Sequence, residues 1–165
     1  MQPSAASAWT IRMFIQNPLN ESELSFPILE CIHIIGFAFS LGTIALVDFR
    51  LLDWWMHRQT PKQVYRDTSA WTLSGIVVMV FSGLLLFSSD PDMYYLNLAF
   101  DAKMIFLVLA ILFNYTIHRK AARSEVPPKH AKAVAFTSLG LWSAVVFGGI
   151  FLAFINQGLS LKSIP

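Results

Sequence analysis

The sequence contains little charge for a protein of its length. Only 13% of its 165 residues are Asp, Glu, Lys or Arg, whereas a soluble globular domain carries roughly 25%. Apolar residues make up 55% of the chain. This composition excludes an ordinary water-soluble domain and indicates a protein that lies in a lipid bilayer.

Cysteine is nearly absent as well, since Cys31 is the only one in the chain. A single thiol excludes an internal disulfide and a thiolate metal cluster, and within an apolar helix we expect it to be a small packing residue. The first residues also lack a basic stretch followed by an apolar run. No cleavable signal peptide is therefore expected, and the first helix should act as an uncleaved anchor.

What the chain does contain is four long apolar stretches, each close to the roughly 20 residues that a membrane-spanning helix needs. Backbone groups in lipid must form their hydrogen bonds internally, which favours helices over strands. We predict an all-α integral membrane four-helix bundle with up-down-up-down topology and a single domain. The predicted helices cover about 26–52, 69–88, 98–118 and 131–156, and the run 9–16 is either a short N-terminal interfacial helix or an ordered tail.

Basic residues are distributed unevenly among the connections. Segment 49–67 carries four Lys and Arg and segment 119–132 carries five, which is nine of the twelve in the chain. By the positive-inside rule both segments face the cytoplasm, so both termini lie on the outer, periplasmic side of a bacterial inner (cytoplasmic) membrane. The expected partners are the lipid bilayer and other membrane subunits or a second copy of the chain, and not nucleic acid.

Three ionisable residues lie inside the apolar stretches. Glu30 and His33 are three residues apart in helix one, so they share a helix face, and Lys103 lies in helix three. With a rise of about 1.5 Å per residue, His33 and Lys103 both fall roughly 8–10 Å below the outer boundary. Charged groups at such depth pair, line a wet cavity or bind something. We therefore expect the three side chains to converge inside the bundle.

This cluster has several explanations. The structural one is an ion pair between Glu30 and Lys103 with His33 beside it, which would fix helix register without a ligand. The functional ones are a b-type haem on His33, a metal ion held by Glu30 and His33, and a proton relay or quinone pocket. With haem, Glu30 or Lys103 would meet a propionate or complete the coordination. Met104 is a further candidate ligand, and Trp142 is a candidate apolar wall.

Other polar residues lie towards the inner end. His118 ends helix three about 20 Å from His33 along the membrane normal, so the two cannot share one haem. His57 and His118 are more typical of interfacial polar residues, and a second haem between them is a weaker alternative. Asp48 and Arg50 are two residues apart and cannot pair on a helix. We expect Asp48 to pair with a base from a neighbouring element and to lock the inner end.

Small residues recur at helical spacing, and we predict that they let helices approach closely in lipid. They are Gly36, Gly42, Ser74, Gly75, Ser82, Gly83, Gly140, Gly148 and Gly149.

Nearly the whole chain resembles a bacterial domain-of-unknown-function family of small four-helix membrane proteins. The resemblance is carried by FPILECIHIIGFAFSLGTIALVDFRLL in helix one, SGLLLF in helix two and FDAKMIFLVLAILFN in helix three. The residues that match its pattern are Glu30, His33, Asp48, Arg50, Lys103 and Trp142. One departure is Gly149-Ile150, where members often have Gly-Arg. The family implies no activity.

A more distant likeness concerns layout alone. A histidine in helix one and a lysine in helix three resemble the haem-binding HemJ-type protoporphyrinogen oxidase and the CopD-type copper-resistance membrane domain. We expect a small membrane redox subunit that holds haem b near the outer face and passes electrons between an external partner and quinone or another membrane subunit. The alternatives are a cofactor-free accessory or assembly subunit, and copper or other metal handling with His33 as a ligand.

The charge distribution makes the predicted topology testable. A Ser124→Cys variant puts a thiol into the second basic segment, which the positive-inside rule assigns to the cytoplasm. An impermeant thiol reagent should label this cysteine only after the cells are lysed. Labelling in intact cells would contradict the arrangement.

Overall fold

Long helices account for most of the structure, a computed structural model that describes residues 22–89, 91 and 97–162, with side chains as far as Phe151. The helices are α1 (Ser25–Leu51), α2 (Pro61–Ser89), α3 (Leu98–Phe113), α4 (Arg119–Ala122) and α5 (Ala131–Lys162), and a π-helical turn at Asn114–His118 joins α3 to α4. No strand occurs within these described ranges. The predicted all-α bundle is confirmed.

Four helical spans are long and apolar enough to cross a membrane. They are α1, α2, the continuous run Leu98–Ala122 and the part of α5 up to Phe151. The chain is therefore a multi-pass membrane protein. The helix or tail expected at 9–16 lies outside the described residues.

The second helix begins earlier than predicted. Hydropathy suggests a start near residue 69, but α2 begins at Pro61. Thr60 and Gln63 form a capping box, because the Thr60 hydroxyl accepts from the Gln63 backbone N–H and the Gln63 side chain accepts from the Thr60 backbone N–H. A Thr-x-x-Gln spacing with proline at the first helical position starts a helix regardless of hydropathy.

The third span also continues past its predicted end at residue 118. The π-helical turn widens the helix by one residue without breaking it, so helical structure runs on to Ala122. The fourth spanning helix begins at Ala131 as predicted and extends beyond 156 to Lys162.

The helices form two antiparallel pairs. Helix α2 packs along α1, and α3 packs along α5, while α1 and α5 supply the main contact between the pairs. Helices α2 and α3 have few backbone contacts among the described residues, but the rings of Phe87 on α2 and Phe100 on α3 stack with their centroids 5.6 Å apart. The spatial order is therefore α2–α1–α5–α3, and the two outer helices meet at this pair of rings.

The two pairs are joined best at the end that carries the basic connections 52–60 and 123–130, which we call the basic-loop end. All four spans contribute to the apolar core there, which consists of Val47, Leu51, Leu52, Val64, Ala121, Ala122, Ala131, Val134 and Ala135. A second cluster of Ile44, Ile76, Ala110, Trp142 and Val145 fills the middle. Towards the opposite end α3 buries no residue before Ala110. The pairs are therefore packed less tightly at that end, where the stacked rings of Phe87 and Phe100 connect them, and we call the region between the pairs there the cleft.

Arg50 fixes the connection between α1 and α2. Its largely buried side chain donates to the Asp53 carboxylate at 2.9 Å and to the backbone carbonyl of Gln59. Nearby, the Lys62 ammonium lies 2.7 Å from the Glu125 carboxylate and so holds the pKa of that carboxyl below its usual value. Arg50 thus acts within its own loop and not on Asp48, as the two-residue spacing predicted.

Close approach of α1 and α2 depends on two glycines. A Cβ on Gly75 would lie 2.7 Å from both the Gly36 carbonyl oxygen and the Ser40 backbone nitrogen. The predicted packing role of small residues is confirmed at Gly36 and Gly75. It is wrong for Gly42 and Gly140, because nothing lies within 4 Å of a Cβ built on either.

These glycines give a matched pair of variants. Gly75→Ala should lower the free energy of unfolding by about 1–3 kcal/mol, because backbone atoms must move apart to admit the methyl group. Gly42→Ala should leave stability unchanged or raise it by up to about 1 kcal/mol through helix propensity. Denaturant titration of helicity in the same detergent measures both. Equal effects of the two substitutions would contradict the close crossing.

Candidate functional site

Polar side chains inside the spans form two groups at opposite ends of the bundle. The first, which we call the cleft pair, consists of His33 on α1 and Lys103 on α3. The second, the Asp48 cluster, consists of Asp48 on α1, His118 in the π-helical turn and Ser138 on α5. The two groups differ in burial, in partners and in the chemistry that they can support.

His33 is half-buried and faces α2. Its Nδ1 lies 3.0 Å from the hydroxyl oxygen of Ser82, and a Cβ on Gly83 would lie only 3.1 Å from its Cε1. Because Gly83 has no side chain, the imidazole can lie flat against α2. The small residues Ser82 and Gly83 therefore set the orientation of the ring.

The hydrogen bond to Ser82 favours one tautomer of His33. The Ser82 hydroxyl lies 2.6 Å from the Val78 carbonyl oxygen, to which it can donate its single hydrogen, and its oxygen then accepts from the imidazole. Nδ1 of His33 then carries the hydrogen, and Nε2 of the neutral ring carries a lone pair. No described residue donates to that Nε2. A histidine that binds a metal through one nitrogen usually donates its other N–H in this way.

Lys103 lies across the cleft from His33 and packs against α5. A Cβ on Gly148 would lie 3.0 Å from the Lys103 Cβ, and one on Gly149 would lie 3.6 Å from Nζ. Two successive glycines thus make room for the whole lysine side chain. His33 and Lys103 thus lie on different helix pairs, His33 against α2 and Lys103 against α5.

Glu30 does not join the cleft pair. It is exposed on α1, and no ion pair within 4.0 Å connects it with Lys103 or with another described residue. The prediction that all three side chains converge inside the bundle is therefore wrong for Glu30, and the Glu30–Lys103 ion pair does not form. Three residues separate Glu30 from His33 on the helix, but His33 turns towards α2 while Glu30 points away from the chain.

The remaining candidate residues lie in different surroundings. Met104 follows Lys103 in sequence and is 38% exposed, so it faces away from the packed side of α3. Trp142 is 1% exposed and packs in the middle core, where its ring centroid lies 6.4 Å from that of Phe37. The core, and not the cleft wall, holds this indole.

The Asp48 cluster is the best-buried polar group in the described part of the chain. Nε2 of His118 lies 2.8 Å from one carboxylate oxygen of Asp48, and the Ser138 hydroxyl donates to the other oxygen at 2.8 Å. The three residues are no more than 1% exposed. One carboxylate thereby connects α1, the third span and α5. The prediction that Asp48 pairs with a base from a neighbouring element is confirmed.

His118 and Ser138 were not identified as members of this cluster. The prediction that His118 is an interfacial residue is wrong, because the π-helical turn directs its side chain into the core. Ser138 lies one turn before Trp142 in an apolar helix, and a single serine in that setting carries no distinct signal. The similar depths of Asp48 and His118, both at the inner ends of their spans, could have indicated the pair.

The order of hydrogen bonds decides what the Asp48 cluster can do. In a nucleophilic triad the imidazole stands between carboxylate and hydroxyl and accepts the hydroxyl proton. Here the carboxylate of Asp48 stands in the middle, and the Ser138 hydroxyl donates to it directly. Ser138 is therefore not activated by His118, and the cluster does not have the geometry for acyl transfer.

The inner haem considered between His57 and His118 finds no support in the positions of the two rings. His57 is exposed, and its Nε2 lies 3.1 Å from the Asp53 carbonyl oxygen, while Nε2 of His118 is bonded to Asp48. No group of three or more His, Cys, Asp and Glu side chains that could hold a metal ion occurs among the residues searched, which are the described ones.

In comparison with known proteins, residues 25–155 match a family of unknown function (DUF6644). The matched segment runs from the start of α1 into α5 and includes both the cleft pair and the Asp48 cluster. The resemblance to an uncharacterised family is thereby confirmed. No curated protein matches the chain, and no solved structure matches it.

Proposed function

This chain belongs to the DUF6644 family, and we propose that it is a small membrane redox subunit that binds a b-type haem through Nε2 of His33. The observation that carries the proposal is the cleft pair itself. It combines an imidazole whose Nδ1–H is held by Ser82 with an ammonium that has no anionic partner among the described residues. Both line the cleft between the helix pairs.

The state of His33 suits ligation of iron. A haem iron takes a neutral imidazole nitrogen with a free lone pair. The Ser82 hydroxyl accepts from Nδ1, because its own hydrogen goes to Val78, and this leaves the lone pair on Nε2. The ligand would thus be oriented before any cofactor binds.

The charge of Lys103 favours an acidic ligand. An ammonium within a membrane span is stable only with a counter-charge or water, and Glu30 does not supply that charge. A haem carries two propionates, so a single molecule offers iron to His33 and a carboxylate to Lys103. A neutral ligand would satisfy only the imidazole.

The glycines beside the cleft pair admit the two polar side chains. Gly83 faces the His33 ring, and Gly148 and Gly149 face the Lys103 side chain. Most sequence neighbours of His33 on α1 and of Lys103 on α3 are apolar. A macrocycle could therefore bury its apolar faces while its charged edge stays next to Lys103.

A bound b-type haem would supply reversible one-electron transfer, while the chain supplies the ligand, the positive charge and the apolar surroundings. We place the protein in the bacterial cytoplasmic membrane with both termini and the cleft on the outer side. Electrons would then pass between a partner outside and quinone or another membrane subunit. The competing hypotheses are a cofactor-free accessory subunit and a metal-handling protein.

An absorbance spectrum tests the proposal directly. Protein expressed with ample haem and purified in mild detergent should show a Soret band, and His33→Ala should lose it while keeping its helicity. His57→Ala is the matched control, because it removes an exposed imidazole at the other end of the bundle, and its spectrum should not change. Lys103→Met should weaken haem binding about 10- to 100-fold, the value of one charge-assisted hydrogen bond.

Two outcomes would contradict the proposal. A Soret band that survives His33→Ala would move the ligand elsewhere in the chain. A folded, colourless wild-type protein would remove haem altogether, and the accessory-subunit hypothesis would take its place unless metal analysis of the same sample finds copper.

A further inference from the structure

Three buried polar atoms near the basic-loop end have no hydrogen-bond partner among the described residues. They are the Tyr115 hydroxyl, Nδ1 of His118 and Nε of Arg119, and all come from the π-helical turn and the residue after it. A buried polar atom left without a partner costs about 1–3 kcal/mol, so native proteins pair such atoms with protein groups or ordered water. This turn therefore has unused capacity to bind a small polar species.

The chemistry of His118 identifies that species. Both oxygens of Asp48 accept hydrogen bonds, one from Nε2 of His118 and one from the Ser138 hydroxyl. With its hydrogen on Nε2, the neutral ring presents Nδ1 as an acceptor. An anion cannot satisfy an acceptor, whereas a water molecule can donate to it.

We propose that the Asp48 cluster is a proton-binding site, in which His118 takes up one proton at Nδ1 from water on the basic-loop side. In this step a water donates a proton to Nδ1, a new N–H bond forms, and the water recovers a proton from the solvent. The imidazolium then donates to the same water, so no hydrogen bond is lost. Asp48 at 2.8 Å supplies the opposite charge.

The surroundings of His118 are compatible with this proton uptake. The titratable and charged groups around it are Asp48 from α1, Tyr115 and Arg119 from its own span, and Tyr65 of α2 beyond Tyr115, while α5 contributes the neutral Ser138. His118 is four residues from Ala122, where the third span ends. A proton therefore has to cross only about one helical turn from the loop. This site does not depend on haem at His33.

The alternative is a purely structural cluster that holds three helices together and never changes protonation. Two variants separate the possibilities. Asp48→Asn removes the charge that stabilises an imidazolium, whereas Ser138→Ala removes one hydrogen bond but keeps both members of the charge pair. Both substitutions should lower stability, but Asp48→Asn should weaken proton binding much more than Ser138→Ala, because it alone removes the negative charge.

The experiment is solid-state NMR of the full chain in lipid bilayers with ¹⁵N-labelled histidine. The His118 signals are assigned by comparison with His118→Gln. Between about pH 8 and pH 5, the range in which histidines titrate, Nδ1 of His118 should change from an unprotonated to a protonated nitrogen. At a given pH, Asp48→Asn should lower the ratio of protonated to neutral His118 at least about tenfold, and Ser138→Ala should change this ratio by a smaller factor.

The exposed His57 and His130 provide the internal reference. If both titrate while Nδ1 of His118 stays unprotonated throughout, the proton-binding site is wrong, whether or not the Asp48→Asn variant folds. An unchanged ratio in folded Asp48→Asn would also overturn the proposal. Neither result bears on the Soret band, so failure here and failure of the haem proposal can be told apart.

Discussion

One carboxylate inside the membrane, that of Asp48, joins three of the four helical spans of this protein. It lies near the end of α1 and receives hydrogen bonds from His118 of the third span and Ser138 of α5. A carboxylate buried in an apolar bundle is stable only when its oxygens are satisfied in this way. In lipid the hydrophobic effect contributes little to helix association. Polar contacts of this kind and close packing therefore specify which helices meet.

The position of the Asp48 cluster explains how the two helix pairs pack at the two ends of the bundle. At the basic-loop end, the Asp48 cluster and the apolar core around Leu51 join both helix pairs. Towards the other end α1 remains tied to α2 at Gly36 and Gly75, but α3 follows α5 and buries no residue before Ala110. His33 of one pair and Lys103 of the other lie in this less tightly packed half. One end thus joins the helix pairs, and the other end carries the proposed ligand site.

The sequence predicted the architecture better than the site, for physical reasons. Apolar run length identified four spanning helices, because lipid imposes a length on them. It missed the start of α2, because the Thr60–Gln63 capping box lies in a polar stretch. Depth along the membrane predicts that His33 and Lys103 lie at one level, but depth carries no information on rotation. Glu30 therefore turned out to point away from the bundle, and the π-helical turn that directs His118 inwards has no simple sequence pattern.

The central claim is that the bundle depends on the contact between Asp48 and His118, and a double-mutant cycle on stability tests it most directly. Unfolding free energies in lipid or mild detergent would be measured for Asp48→Ala, His118→Ala and the double variant, with Asp48→Ala combined with His57→Ala as the control. We predict a coupling energy of about 1.5–3 kcal/mol between Asp48 and His118. This is well above the average of about 0.6 kcal/mol for hydrogen bonds between membrane helices. In the control, the effects of the two substitutions should be additive. The claim would be contradicted by a coupling energy below about 0.5 kcal/mol, which is no larger than the coupling between distant sites.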